Sequence, residues 1–211
     1  MQHNTPLFGI IVQSKLIQPT ECWARGKQEN MKKQILFIQG GGEGAHAVDE
    51  DLAKSLRDTL GSEYNVRYPK MPEEENAGYE AWKAQISKEL AEVDDQIIFV
   101  GHSVGTSMLL KYLSEENVKN SIAGIFLIAA PYWGMGGWQV EEFILDEDSA
   151  AKLLKAIPIF FYHSRDDDTV PFTHLVLHAQ KFPQATVREF DGRGHQFNND
   201  LSEVAADIKS L

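Results

Sequence analysis

The chain alternates short apolar runs with stretches of helical period. Ile35-Leu36-Phe37-Ile38-Gln39 is a continuous apolar run that ends in glycines, as a strand buried on both faces would. Val48, Leu52, Leu56 and Leu60 then recur every fourth residue and Gly61 follows, which predicts an amphipathic helix with a stop. Tyr64–Tyr68 reads as a second strand. After the polar loop Pro72-Glu73-Glu74-Glu75-Asn76, Tyr79, Trp82, Ile86, Leu90 and Val93 line one face of a second helix. Gln96–Val100 is the third strand, and an apolar helix through Met108, Leu109, Leu110, Tyr112 and Leu113 follows it directly. Ile122–Ala130 and Ile157–His163 are the fourth and fifth strands, with a helix expected between them at Ser149–Ile157. A helix over Phe172–Lys181, a sixth strand Thr186–Phe190 and a last helix Asp200–Leu211 complete the pattern. Six apolar strands separated by helices predict an α/β fold, an open parallel sheet with helices on both faces. Right-handed crossovers put every strand's C-terminal end on one edge, where ligand chemistry in such sheets collects.

Residues 1–30 lack this pattern. They carry no helical period, and Leu7-Phe8-Gly9-Ile10-Ile11-Val12 is too short and too poorly flanked for a signal peptide. Met31-Lys32-Lys33-Gln34, just before the first strand, reads as a natural start, so residues 1–30 are expected to be a poorly structured leader or upstream extension. The competing reading makes Phe8–Val12 an extra edge strand. The domain proper is then residues 31–211.

Composition narrows the partners. The 211 residues are 43% hydrophobic and 24% charged, a globular balance. Twenty Lys and Arg against 31 Asp and Glu give a net charge of −11, which disfavours nucleic acid and anionic membranes as partners. No apolar run is long enough to span a bilayer. The lone Cys22 can form neither an internal disulfide nor a cysteine zinc cluster, and suits a reducing cytoplasm.

The residues just after the strands carry the chemistry. Gly101-His102-Ser103-Val104-Gly105 is a G-x-S-x-G turn between a strand and a helix, the geometry that projects a serine hydroxyl above a sheet. His102 is read as structural, because so sharp a turn points its side chain away from that of Ser103. After the fifth strand come Asp166, Asp167 and Asp168, any of which can present a carboxylate. After the sixth comes Asp191-Gly192-Arg193-Gly194-His195, where glycines let a loop fold the histidine toward the serine. Serine, acid and histidine stand in the chain order that this architecture uses.

On these residues the chain resembles the α/β-hydrolase superfamily, and within it the small, lid-poor serine hydrolases of the retinoblastoma-binding-protein-9 and YdeN-like group. The resemblance runs from about Ile35 to the C-terminus. It rests on Gly101–Gly105, the D-x-x-V-P step Asp167–Pro171, Gly194-His195 and the Met71-Pro72 loop ahead of Trp82. It implies a single-domain α/β-hydrolase fold with sheet order 2-1-3-4-5-6 and a minimal lid. It also selects Asp167, three residues before the valine of Val-Pro, as the triad acid beside Ser103 and His195. The implied oxyanion donors are the backbone amides of Val104 and of Gly41, with Gly42 next. The two glycines lie in the loop after the first strand, where Gln39 replaces the histidine of related His-Gly-Gly-Gly stretches. That loop is not a phosphate cradle, since Glu43 stands where a P-loop needs lysine.

Tyr132-Trp133-Gly134-Met135-Gly136-Gly137-Trp138, aromatic and flexible, follows the fourth strand at the active edge. Tyr132, Trp133, Met135 and Trp138 are therefore expected to line the substrate pocket. Trp82 reads as core, His46 as a helix-start residue, and His174 with His178 as one packed helix face rather than a metal pair. The expectation is a cytoplasmic serine hydrolase, monomeric or homodimeric, without metal or organic cofactor. It would cleave a small neutral or apolar ester through an acyl-enzyme. Thioester, amide or lactone hydrolysis uses the same residues, and a binding protein that keeps the fold with little turnover is the alternative from another class.

Overall fold

Six strands pair side by side in the order β2-β1-β3-β4-β5-β6, every neighbour parallel. They are β1 (Lys33–Ile38), β2 (Tyr64–Arg67), β3 (Ile97–His102), β4 (Ile122–Ile128), β5 (Ile159–Ser164) and β6 (Thr186–Phe190). The computed structural model describes Met1 and residues 32–93, 96–145 and 157–211. The sheet lies within the unit Lys32–Leu211. The possible strand Phe8–Val12 and residues 149–156 of the helix expected before β5 fall outside the described residues.

Five described helices cover the sheet: α1 (Ala45–Leu60), α2 (Tyr79–Ala91), α3 (Val104–Glu115), α4 (Thr173–Lys181) and α5 (Ser202–Lys209). The alternation of side chains along β1 explains the two layers. Ile35 and Phe37 point to one face, where they meet Leu52 and Leu56 of α1 and Val204 and Ile208 of α5. Leu36 and Ile38 point to the other, against Trp82 and Ile86 of α2 and Met108 and Leu109 of α3. Each such buried side chain contributes about 1.5–3 kcal/mol, so both faces of the central strands must be apolar. That requirement produces the continuous runs seen in the sequence.

One detail of α1 departs from the predicted face. Val48 is 55% exposed, and the buried stripe runs through Asp49, Leu52, Ala53, Leu56 and Leu60. The four-residue apolar spacing concealed a buried acid beside an exposed valine. Trp82 is core, as expected: it is fully buried and its indole N–H donates to the Pro72 carbonyl at 2.8 Å.

Candidate active site

The parallel sheet brings the chain segments after all six strands to one edge, and the turn after β3 is the most constrained of them. Ser103 has φ 50° and ψ −124°, a left-handed φ that costs a non-glycine residue on the order of 1–3 kcal/mol. Local bonds hold it there. The Ser103 N–H donates to the Ile128 carbonyl at 2.9 Å, and the Ser103 carbonyl accepts from the Thr106 N–H at 3.0 Å and the Thr106 hydroxyl at 2.6 Å. The flanking glycines are required by space. A Cβ on Gly101 would lie 3.0 Å from Leu109 and 3.1 Å from the Thr106 backbone. A Cβ on Gly105 would overlap the carbonyl oxygens of Ile38 and Gln39, because α3 starts directly on the end of β1.

The loop after β5 presents Asp167. Its side chain is fully buried, and its carboxylate lies 2.8 and 3.0 Å from His195 Nδ1. Oδ1 also accepts the Val170 N–H at 2.8 Å and the Thr169 N–H at 2.9 Å. His163, the penultimate residue of β5, donates from Nε2 to the Val170 carbonyl at 2.8 Å and lies 3.3 Å from Asp167 Oδ2. Burial by itself would raise the Asp167 pKa. The hydrogen bonds from His163, His195 and the Val170 amide outweigh it and hold the carboxyl well below its usual range.

The two neighbouring aspartates do other work. Asp166 accepts the Ser164 hydroxyl and the Gly194 N–H, the latter at 3.2 Å, and so ties the β5 loop to the histidine loop. Asp168 is exposed and reaches only the Thr169 hydroxyl, at 3.1 Å. In the loop after β6, Gly192 and Gly194 take φ of 71° and 58°, conformations that glycine adopts without strain. These turns carry His195 back to Asp167.

Three glycine amides follow β1, and two have partners. The Gly40 N–H donates to Asp49 Oδ2 at 2.7 Å, and the Gly42 N–H donates to the Glu74 carbonyl at 2.7 Å. Gly41 has neither, and a Cβ built on it would touch Val104 at 3.2 Å. Gly41 thus packs against the Val104 side chain, and neither residue's amide has a protein acceptor among the described residues. Gly42, grouped with Gly41 in the sequence, is engaged elsewhere. Gln39 fixes the loop: its amide donates to Glu74 at 2.9 Å and accepts the Met71 N–H at 3.1 Å. The Glu74 carboxylate also takes the His46 N–H, at 2.9 Å, and its pKa is depressed to about 2 chiefly by that bond and the one from Gln39. His46 stands at the start of α1 with its ring stacked on Tyr68, the centroids 4.6 Å apart.

Ser103 and His195 line one cavity of about 200 Å³, together with Gly40–Glu43, Ala45, Val48, Asp49, His102 and Gln196. The aromatic loop after β4 is not among those residues. Tyr132 and Trp133 line a second cavity with Ser107, Leu110, Phe143 and His178. Trp138 meets Trp133 and His174 edge-on at 5.4 and 5.1 Å, and Met135 is 92% exposed. His174 accepts the Tyr132 N–H at 2.9 Å and His178 donates to the Pro131 carbonyl at 3.2 Å, so the histidine pair anchors this loop. Burial lowers the His178 pKa to about 3. Among the described residues no group of three His, Cys, Asp or Glu side chains could hold a metal ion, and no helix is long and apolar enough to cross a membrane.

Sequence reasoning missed Asp49, which bonds three of the loops at this edge, and His163, the second histidine on Asp167. The signal for Asp49 was a carboxylate inside an apolar helix face. His163 was visible as an ionisable residue closing an apolar strand.

A six-stranded parallel sheet in this order, with a strained serine turn after β3, is the α/β-hydrolase fold. A family model described as serine hydrolase matches residues 49–201, and the chain belongs to that family. Solved structures agree on the fold. The ydeN gene product from B. subtilis is 19% identical with a TM-score of 0.68, covering 85% of this chain and 98% of that one. The serine hydrolase CCSP0084 from the polyaromatic-hydrocarbon-degrading bacterium Cycloclasticus zankles is 15% identical with a TM-score of 0.65, covering 86% and 90%. Est1E from Butyrivibrio proteoclasticus is 14% identical with a TM-score of 0.62, covering 87% and 88%. No curated protein matches the sequence.

Proposed function

We propose that the protein hydrolyses a small neutral or apolar carboxylic ester by a Ser103–His195–Asp167 triad. The observation that carries this reading is the Asp167–His195 pair opening onto the same cavity as the strained Ser103. The His195 Nδ1–H donates to the carboxylate, which leaves Nε2 as the basic nitrogen. Nε2 takes the Ser103 proton, Ser103 Oγ attacks the acyl carbon, and Asp167 stabilises the imidazolium. The amides of Val104 and Gly41 face the developing oxyanion, since each lacks another acceptor and α3 starts at Val104. His195 then returns the proton to the leaving alcohol, and water repeats the sequence on the acyl-enzyme.

The substrate class follows from the lining. Glu43 borders the cavity and no lysine or arginine does, while the Asp49 carboxylate is spent on Gly40, His102 and Gln196. An anionic substrate would meet the Glu43 charge, and both His102 N–H groups are already taken by Asp49 and the His195 carbonyl. Fluorophosphonate labelling of the wild type, absent in Ser103→Ala, together with hydrolysis of p-nitrophenyl acetate, tests the reading. Failure of the wild type on both counts would overturn it.

A further inference from the structure

One buried pair at the site takes no part in that mechanism. Asp49 and His102 have side chains only 3% exposed, and His102 Nδ1 lies 2.9 Å from Asp49 Oδ2. The other ring nitrogen, Nε2, lies 3.1 Å from the backbone carbonyl of His195. A carboxylate and a carbonyl both accept, so both ring nitrogens must donate, and the ring carries two protons. Burial opposes that charge, but the field and hydrogen bond of Asp49 outweigh it and raise the His102 pKa. The same partners lower that of Asp49 against its burial.

The bonds of this pair reach the loop after β1, the serine turn and the loop after β6, all of which the mechanism uses. Asp49 Oδ2 accepts the Gly40 N–H at 2.7 Å, next to the Gly41 amide. Asp49 Oδ1 accepts the side-chain amide of Gln196 at 2.6 Å, next to His195. His102 adjoins Ser103 in the chain and holds the His195 carbonyl, with the two rings 4.9 Å apart. We propose that Asp49 and His102 form a buried ion pair that positions the nucleophile, the base and the Gly41 amide relative to one another. Neither residue exchanges a proton with substrate; they act through His195, Ser103 and Gly40. The other titratable groups facing the pair are His195 from the loop after β6, Asp167 from the loop after β5, and Tyr68 near Asp49. The inference rests on the serine-hydrolase reading above.

The test uses Asp49→Asn, which keeps the shape but removes the charge, with His102→Gln and Gln196→Ala beside it. All three residues border the cavity, but the polar atoms of Asp49 and His102 are spent on protein partners, so the loss should fall on kcat, with KM for p-nitrophenyl acetate within about twofold. A displacement of reacting groups of the order of 1 Å costs roughly 100-fold, so Asp49→Asn and His102→Gln should lose between about 10- and 100-fold in kcat. Their rate of fluorophosphonate labelling should fall in parallel. Gln196→Ala removes one arm of the cluster at a partly exposed site, and should lose several-fold in kcat without loss of melting temperature. It therefore decides the matter even if Asp49→Asn does not fold. A wild type that neither labels nor hydrolyses would sink the underlying reading alone. A wild type that labels, with folded variants that match its kcat within twofold, would leave the reading intact and overturn the positioning role.

Discussion

The three adjacent aspartates give a stringent test of the site, because the structure assigns each a different duty. Asp167→Asn replaces a carboxylate that accepts from His195, Thr169 and Val170 and lies against His163. The carboxamide oxygen can keep the two backbone amides. Its NH₂ group then faces His195 Nδ1, which must turn from donor to acceptor, and the proton moves to Nε2. A base protonated at Nε2 cannot take the serine proton. Loss of the correct tautomer in a triad of this kind costs about 10⁴ in kcat, or about 5.5 kcal/mol at 1.36 kcal/mol per tenfold. Asp166→Asn leaves the tautomer intact and weakens only the bonds to Ser164 and Gly194, so a slight shift of the histidine loop should cost about tenfold or less. Asp168→Asn removes one exposed contact and should be neutral. Initial rates of p-nitrophenyl acetate hydrolysis for the three purified variants, each checked for a native melting temperature, give the ranking. A larger loss at Asp166 or Asp168 than at Asp167 would refute the assignment of the acid.

Four further outcomes are expected. Ser103→Ala should lower kcat by several decades, and because alanine keeps both the Cβ and the left-handed φ, its melting temperature should stay close to that of the wild type. Gly105→Ala forces a methyl onto the carbonyls of Ile38 and Gln39 and should cost at least about 2 kcal/mol in urea unfolding. Because the His102 pKa is raised on folding, the pair's stabilisation is full below the unfolded value of about 6.5 and is lost as pH rises through the folded value. The gap in melting temperature between wild type and Asp49→Asn should therefore be widest near pH 6 and shrink at alkaline pH. Deleting residues 1–30 should leave ester hydrolysis and melting temperature nearly unchanged, and a fall of many degrees would show that this segment contributes to the fold.

The strands were legible because burial on both faces of a parallel sheet leaves no room for polar residues, and each expected strand overlaps an observed one. The serine turn was legible because its glycines answer to steric contacts that any such turn creates. Asp167 was less legible. Three identical side chains in a row carry no periodicity, and only the backbone turn from Asp167 to Val170 distinguishes them. The aromatic loop shows where reading by position runs out. It follows β4 at the active edge, yet Trp133 gives its indole N–H to Ser107 at 2.7 Å and packs on Phe143 at 5.1 Å. A strand end fixes where a loop starts, but not which way its side chains turn.

The glycine loop after β1 shows how the two halves of the site depend on each other. Its conformation is set by two carboxylates acting from opposite sides: Asp49 takes the Gly40 amide, while the Glu74 carboxylate takes the Gln39 side chain and the His46 amide. The Gly42 amide goes to the carbonyl of the same Glu74. The amides on either side of Gly41 are both consumed, and Gly41 itself packs against the Val104 side chain at the start of α3. Gly41 itself is half-buried and lines the cavity with Ser103. The flanking carboxylates hold the loop on either side of it. A glutamine is suited to position 39 for this reason. It donates to Glu74 and accepts from Met71 at once, and so links the loop to the Met71–Asn76 segment at both ends of one amide.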